Sequence, residues 1–196
     1  MPRKQKRRLE KIDDFHLCTE VTFDVFEKRF IARYHRLMSG KLSKKMSPIF
    51  IWTEIMSVIK GSKTDKALFQ QRLSQHEYEL LGSKTLTRKE KSTLYFVYLK
   101  YEEWKLNVRA FDFLDVVNHV MSQTLYQERS KRDRFDYLII DEVQDLYPKT
   151  VQLLLKQTKY KVVFAGDSAQ TIASGVNVRI SEMSKAIDSG GKQKTV

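Results

Sequence analysis

The sequence predicts an α/β protein in which a largely helical first two-thirds precedes a parallel β-α-β unit. Three observations predict it. From Thr19 to Met121 the apolar residues recur in steps of three and four, the period of helices buried along one face. Two solid apolar runs follow, Tyr137-Leu138-Ile139-Ile140 and Val162-Val163-Phe164-Ala165, which read as buried strands of a parallel sheet. From 137 to 165 is 29 residues, close to the roughly 30 that one β-α-β unit takes.

Composition narrows the class. At 196 residues the chain fits one compact domain or one and a half, by the usual roughly 100–200 residues per domain. Two complete nucleotide-binding lobes are excluded. A hydrophobic fraction of 41% supplies a core and excludes wholesale disorder. The single cysteine, Cys18, excludes an internal disulfide and a multi-cysteine zinc site, and suits a reducing compartment. No apolar run approaches the roughly 20 residues that cross a bilayer, and the basic first residues lead into no apolar signal region. A nuclear or cytoplasmic protein with no membrane partner is therefore expected. The net charge of +12 fits a polyanionic partner, because Lys and Arg gain by displacing counterions from phosphates.

Taken in order, the elements begin with a basic tail. Arg3, Lys4, Lys6, Arg7, Arg8 and Lys11 are opposed only by Glu10, the pattern of a solvated run. Between Thr19 and Met38, Phe23, Phe26, Phe30, Tyr34 and Leu37 form one stripe, with Thr19 or Thr22 as cap and Gly40 as stop. Pro48 opens a second helix to Lys60, carrying Ile49, Trp52, Ile55, Met56 and Ile59, and Gly61 closes it. A third runs from about Asp65 to Leu81, and a longer one from Arg88 to about Leu106.

The string Gly61-Ser-Lys-Thr64 recurs as Gly82-Ser-Lys-Thr85. Neither copy is a phosphate loop, which needs GxxxxGK[ST] after a strand so that successive N–H groups surround the phosphates. Each glycine is expected instead as a left-handed C-cap. Phe111-Asp112-Phe113-Leu114-Asp115 then opens a helix continuing through Met121. Asp112 and Asp115 share a face, and a metal pair is one reading. The stronger one is an N-cap and a first-turn acid favoured by the helix dipole. His16, His35, His76 and His119 show neither HExxH spacing nor an adjacent nucleophile, and Trp52 and Trp104 lie on core stripes.

The chemistry is expected where the strands end. Asp141-Glu142 follows the first apolar run, Pro148 opens a helix bearing Val151, Leu154 and Leu155, and the second run ends at Gly166-Asp167. In parallel sheets ligands bind beyond the carboxyl ends of the strands. Two acids there suit nucleotide hydrolysis: one carboxylate holds hydrated Mg²⁺, the next orients or deprotonates the water that attacks the γ-phosphate. The plainer account of Gln144, Asp145 and Asp167 is turn and cap chemistry after a strand.

The strings DYLIIDEVQDLYP (136–148) and VVFAGDSAQTIASGVN (162–177) resemble motifs II and III of superfamily 1 helicases of the UvrD/Rep type. Within that group the resemblance is greatest to large eukaryotic proteins that combine tetratricopeptide and ankyrin repeats with a UvrD-like helicase core. TEVTFDVF (19–26), IWTEIMSVIKGS (51–62), YLKYEEWK (98–105) and FDFLDVVNHV (111–120) are similar to the helical region before motif II in those proteins. The resemblance implies a basic tail over 1–12, a helical insertion over 13–134, a partial RecA-like P-loop NTPase lobe over 135–187 and a tail over 188–196. It implies ATP and Mg²⁺ as cofactors, with Asp141 the metal ligand and Glu142 the catalytic carboxylate. Gln170 would sense the γ-phosphate and couple it to the nucleic-acid side. Gln144 and Asp145 complete the DExQD box, and Gly166 and Asp167 shape the turn beside the nucleotide.

The departures carry their own expectations. Motif III continues in the family into aromatics that stack on single-stranded bases, whereas Ala173-Ser174-Gly175-Val176 stands here, and stacking needs π-faces. No GxxxxGK[ST] occurs, and Ser189-Gly-Gly-Lys192 lies beyond motif III. The leading expectation is thus a fragment of an ATP-dependent, nucleic-acid-stimulated helicase, inactive by itself. Its partners would be single-stranded DNA or RNA, an upstream phosphate-loop half and a second RecA lobe. The alternative is a non-catalytic basic adaptor that binds nucleic acid or protein.

Overall fold

The computed structural model describes residues 19–34, 46–62, 72–126 and 134–166. The chain enters through β1 (Thr19–Glu20), after which Thr22 caps α1 (Phe23–Val25), its hydroxyl accepting from the Val25 N–H at 3.5 Å. The helix widens into a π-helical stretch, Phe26–Ile31, that buries Phe26, Phe30 and Ile31. α2 (Pro48–Thr53) starts on a Ser47 cap and widens likewise over Glu54–Lys60. α3 (Gln75–Leu81) and α4 (Arg88–Val108) each begin with a capping box, Ser74 with Glu77 and Thr87 with Glu90. Two orphan N–H groups are satisfied at each start. α4 ends where Arg109 turns left-handed at φ 52°, and β2 (Ala110–Phe111) pairs parallel with β1 before α5 (Phe113–Tyr126).

One aromatic core joins these helices. Trp52 and Tyr101 lie 5.1 and 5.3 Å from the Phe26 ring centroid, and Tyr101 and Trp104 lie 5.4 and 5.6 Å from that of Phe30. At its edge sits a buried ionic network. Lys60 Nζ is 2.5 Å from Asp112, 2.6 Å from Asp115 and 3.3 Å from Glu102, while Lys105 Nζ lies 2.6 Å from Asp112, 2.9 Å from Glu102 and against Asp115. Burial alone would raise the Asp112 carboxyl, but the Lys60 and Lys105 ammonium groups outweigh it and hold the group far below the usual carboxylate range.

Beyond the helices lies the β-α-β unit. β3 (Phe135–Ile140) and β4 (Thr158–Phe164) pair in parallel, Ile139 opposite Val163 and Ile140 opposite Phe164, with α6 (Pro148–Lys156) crossing between them. Ile140, Val143 and Val151 form a second core with Leu138, Leu154, Leu155, Val162 and Phe164. Tyr147 packs against both cores and ties the unit to the helices. Its ring lies 6.2 Å from Phe113, and the Lys149 N–H donates to the Gly61 carbonyl at 3.0 Å.

Several expectations change. The strands are half-buried rather than buried, because α6 covers one face only: on the other, Tyr137 is 69% and Ile139 75% exposed. Both strands also start earlier than their apolar runs, at Phe135 and Thr158. Phe111 belongs to β2 rather than to the following helix, and β1–β2 interrupts the helical part with a pairing of two residues a side. The helix expected from about Asp65 begins only at Gln75, residues 72–74 being non-helical with Ser74 as the cap, while 63–71, like Cys18, His16, His35 and both tails, lies outside the described residues. Neither helix-ending glycine is left-handed: Gly61 has φ −91° and Gly82 φ −61°. They are needed for space. A Cβ at Gly61 would collide with the Met56 carbonyl, and one at Gly82 would stand 2.6 Å from the Tyr78 ring.

Candidate functional site

The site is built where β3 and β4 stop together. Ile140 is the last buried residue of β3, and its carbonyl accepts from Ala165 N–H at 2.8 Å; Val143 N–H then donates to the Ala165 carbonyl at 3.1 Å. Between these two ties the chain must reverse within three residues. It does so by placing Glu142 in the left-handed region, φ 49° and ψ 43°, followed by a single 3-10 turn, Val143–Asp145. A non-glycine residue there is uncommon and costs on the order of 1 kcal/mol. Asp141 offsets part of this, its Oδ1 accepting from the Glu142 N–H at 2.9 Å. Val143 anchors the turn in the second core.

The result is a sorting of the DEVQD box by exposure. Asp141, Glu142 and Asp145 are exposed, whereas Gln144 is 1% exposed and folds back beneath them. Gln144 Nε2 donates to Glu142 Oε2, a short contact. Gly166 lies directly against Gln144. The structure thus brings together Asp141, Glu142, Gln144, Asp145 and Gly166 at one edge of the sheet. Asp167 and Gln170 lie outside the described residues. Among the described residues neither Asp141 nor Glu142 is held in an ion pair. Two exposed carboxylates side by side at a strand end fit the oxygen-only ligand preference of a hydrated Mg²⁺.

A second acidic group behaves differently. Glu102, Asp112 and Asp115 offer oxygens within 4.8 Å of one another, but the ammonium groups of Lys60 and Lys105 stand among them. Asp112 and Asp115 also cap α5 reciprocally: Asp115 N–H donates to Asp112 Oδ1 at 3.1 Å and Asp112 N–H to Asp115 Oδ2 at 3.0 Å. The metal reading of that pair gives way to the capping one.

Sequence reasoning missed the lysines. Lys60 and Lys105 look like surface residues until their neighbours are counted: each directly follows a core residue, Ile59 and Trp104. Lys149 is 2% exposed at the start of α6, its Nζ donating to the Lys60 carbonyl at 3.3 Å. Burial, with the Lys60 ammonium nearby, pushes its pKa down to about 8.

The family model for the UvrD/REP helicase N-terminal domain matches residues 3–186. The chain belongs to that family. Among curated proteins it is similar to "TPR and ankyrin repeat-containing protein 1" of Homo sapiens, 29% identical over 167 residues, which cover 83% of this chain and 6% of that protein. The chain therefore corresponds to a small part of the relative's length. No solved structure matches it significantly.

Proposed function

We propose that the chain provides the metal- and water-handling side of an ATP-hydrolysing site in a UvrD-like helicase, within a partial RecA-like lobe over 135–187. The observation that carries this reading is the pair of exposed carboxylates, Asp141 and Glu142, at the carboxyl end of β3 beside the end of β4. Asp141 is the residue to hold Mg²⁺, which when bound neutralises charge on the nucleotide phosphates. Glu142 would orient the attacking water and accept its proton. Gln170 would report the γ-phosphate to the nucleic-acid side, with Asp145, Gly166 and Asp167 shaping the nucleotide edge. The phosphate-cradling loop has to come from outside this sequence. Among the described residues the face of β3–β4 carrying Tyr137, Ile139 and Val163 is exposed, which supports the same reading, since parallel sheets are normally covered on both faces. Single-stranded nucleic acid is the expected partner of the assembled protein.

The test joins this chain to a phosphate-loop lobe of the family and follows Mg-ATP turnover. Glu142→Gln is expected to lower turnover by about 10²-fold or more while leaving Mg-ATP affinity unchanged. Turnover equal to the parent would refute the assignment. The chain by itself should show no ATP binding tighter than millimolar in calorimetric titration.

A further inference from the structure

The carboxamide of Gln144 is turned inward on both sides. Its Nε2 donates to Glu142 Oε2, and its Oε1, fully buried, accepts no hydrogen bond among the described residues. Reversing the amide would set oxygen against the Glu142 carboxylate, acceptor against acceptor. An orphaned acceptor in the interior is costly and calls for a reason. The reason is on the opposite side of the group: Gly166, two residues beyond the end of β4, presses its backbone against Oε1, and a Cβ there would collide with that oxygen and stand 3.1 Å from Val143 Cγ1. The φ of Gly166 does not demand glycine, so the demand is one of space.

We propose that Gln144 is a positioning residue for the Glu142 carboxylate, and that the bare backbone of Gly166 is what wedges it into that role. The two sequence strings thereby meet through one buried side chain: the glycine at the end of β4 sets where Gln144 sits, and Gln144 sets where Glu142 points. With its Nε2 engaged by Glu142 and its Oε1 turned into the buried turn, Gln144 serves the carboxylate rather than the nucleotide. Loosening Gly166 or Gln144 frees Glu142 to leave its left-handed perch. The inference rests on the reading of Glu142 as the residue that handles water, but its test needs no nucleotide.

The side-chain amide resonance of Gln144 in the 196-residue chain, assigned by its disappearance in Gln144→Leu, reads the contact. Glu142→Ala removes an exposed side chain and is expected to shift the Nε2 protons upfield, whereas Asp145→Ala, equally exposed and adjacent in sequence, leaves them in place. Gly166→Ala is expected to shift the same resonance and lower the melting temperature, and most of that loss should vanish when Gln144 is already alanine, the coupling a double-mutant cycle detects. An amide resonance unmoved by Glu142→Ala, or a Gly166→Ala loss of the same size in both backgrounds, overturns the proposal. Should Gly166→Ala fail to fold, the Glu142→Ala and Asp145→Ala comparison decides. A missing contact leaves the hydrolytic reading standing, and an inactive joined protein leaves the contact standing.

Discussion

Lys60 ends the second helix with its ammonium among three carboxylates, and its own pKa shows the balance of forces there. Burial would lower it, yet Asp112, Glu102 and Asp115 together raise it well above the ordinary lysine value. Such a network adds little over an apolar replacement, but removing one partner strands the others. Lys60→Ala should therefore cost about 3–5 kcal/mol in urea unfolding, more than the loss of its methylenes explains. Lys60→Met together with Asp112→Asn is expected to recover a good part of it. The depressed Asp112 pKa has a sign as well. A carboxyl lowered in the fold contributes stability above its unfolded value near 3.9, and that contribution fades as pH falls. At this scale the sequence was half legible. Asp112 and Asp115 showed their capping role through spacing alone, and Asp141-Glu142 announced itself by following an apolar run. The buried lysines did not, because burial of a long cation depends on which helix crosses it, and nothing local to Lys60 or Lys105 encodes the approach of α5.

The elements were more legible than their surroundings. Start signals at Pro48, Asp112 and Pro148 located α2, α5 and α6, and apolar period located α4, because those signals are local to the helix that carries them. The structure adds a cap that the apolar period alone did not show: Thr87 accepts from Glu90 N–H at 3.3 Å while Glu90 accepts from the Thr87 N–H at 2.8 Å. Thr87→Ala should cost about 1 kcal/mol of stability, seen as a lower denaturation midpoint with unchanged slope. The β1–β2 pairing was invisible, since two residues a side carry no period. β3 shows why a solid apolar run overstates burial: the run reflects the faces a parallel strand can present, and only one is covered by α6. This yields a paired prediction. Ile140→Ala, at 6% exposure, should cost about 2–5 kcal/mol. Ile139→Thr, one position away and 75% exposed, should stay within about 0.5 kcal/mol. Equal losses at the two positions would mean that the odd-numbered face of β3 is covered in this chain.

At the scale of the molecule, the helical core and the β-α-β unit meet at a buried seam, and among the described residues that seam contains the buried ammonium of Lys149. Tyr147 packs on both cores, and burial together with Asp112 raises its hydroxyl to about 12. Beside it Lys149 sends its backbone N–H to Gly61 and its ammonium to the carbonyl of Lys60. Lysine in the unfolded chain titrates near 10.4, whereas Lys149 in the fold titrates at about 8. Between those values the unfolded chain binds more protons than the folded one, so stability rises with pH. Below about pH 8 both states are protonated and the full penalty of burying the cation stands. The difference corresponds to at most about 3 kcal/mol across the window. Melting temperatures measured from pH 7.5 to 9.5, where most other lysines remain charged in both states, should climb for the parent relative to Lys149→Met, whose curve lacks this component. Parallel curves for the two proteins would show that burial at the seam does not depress the Lys149 ammonium.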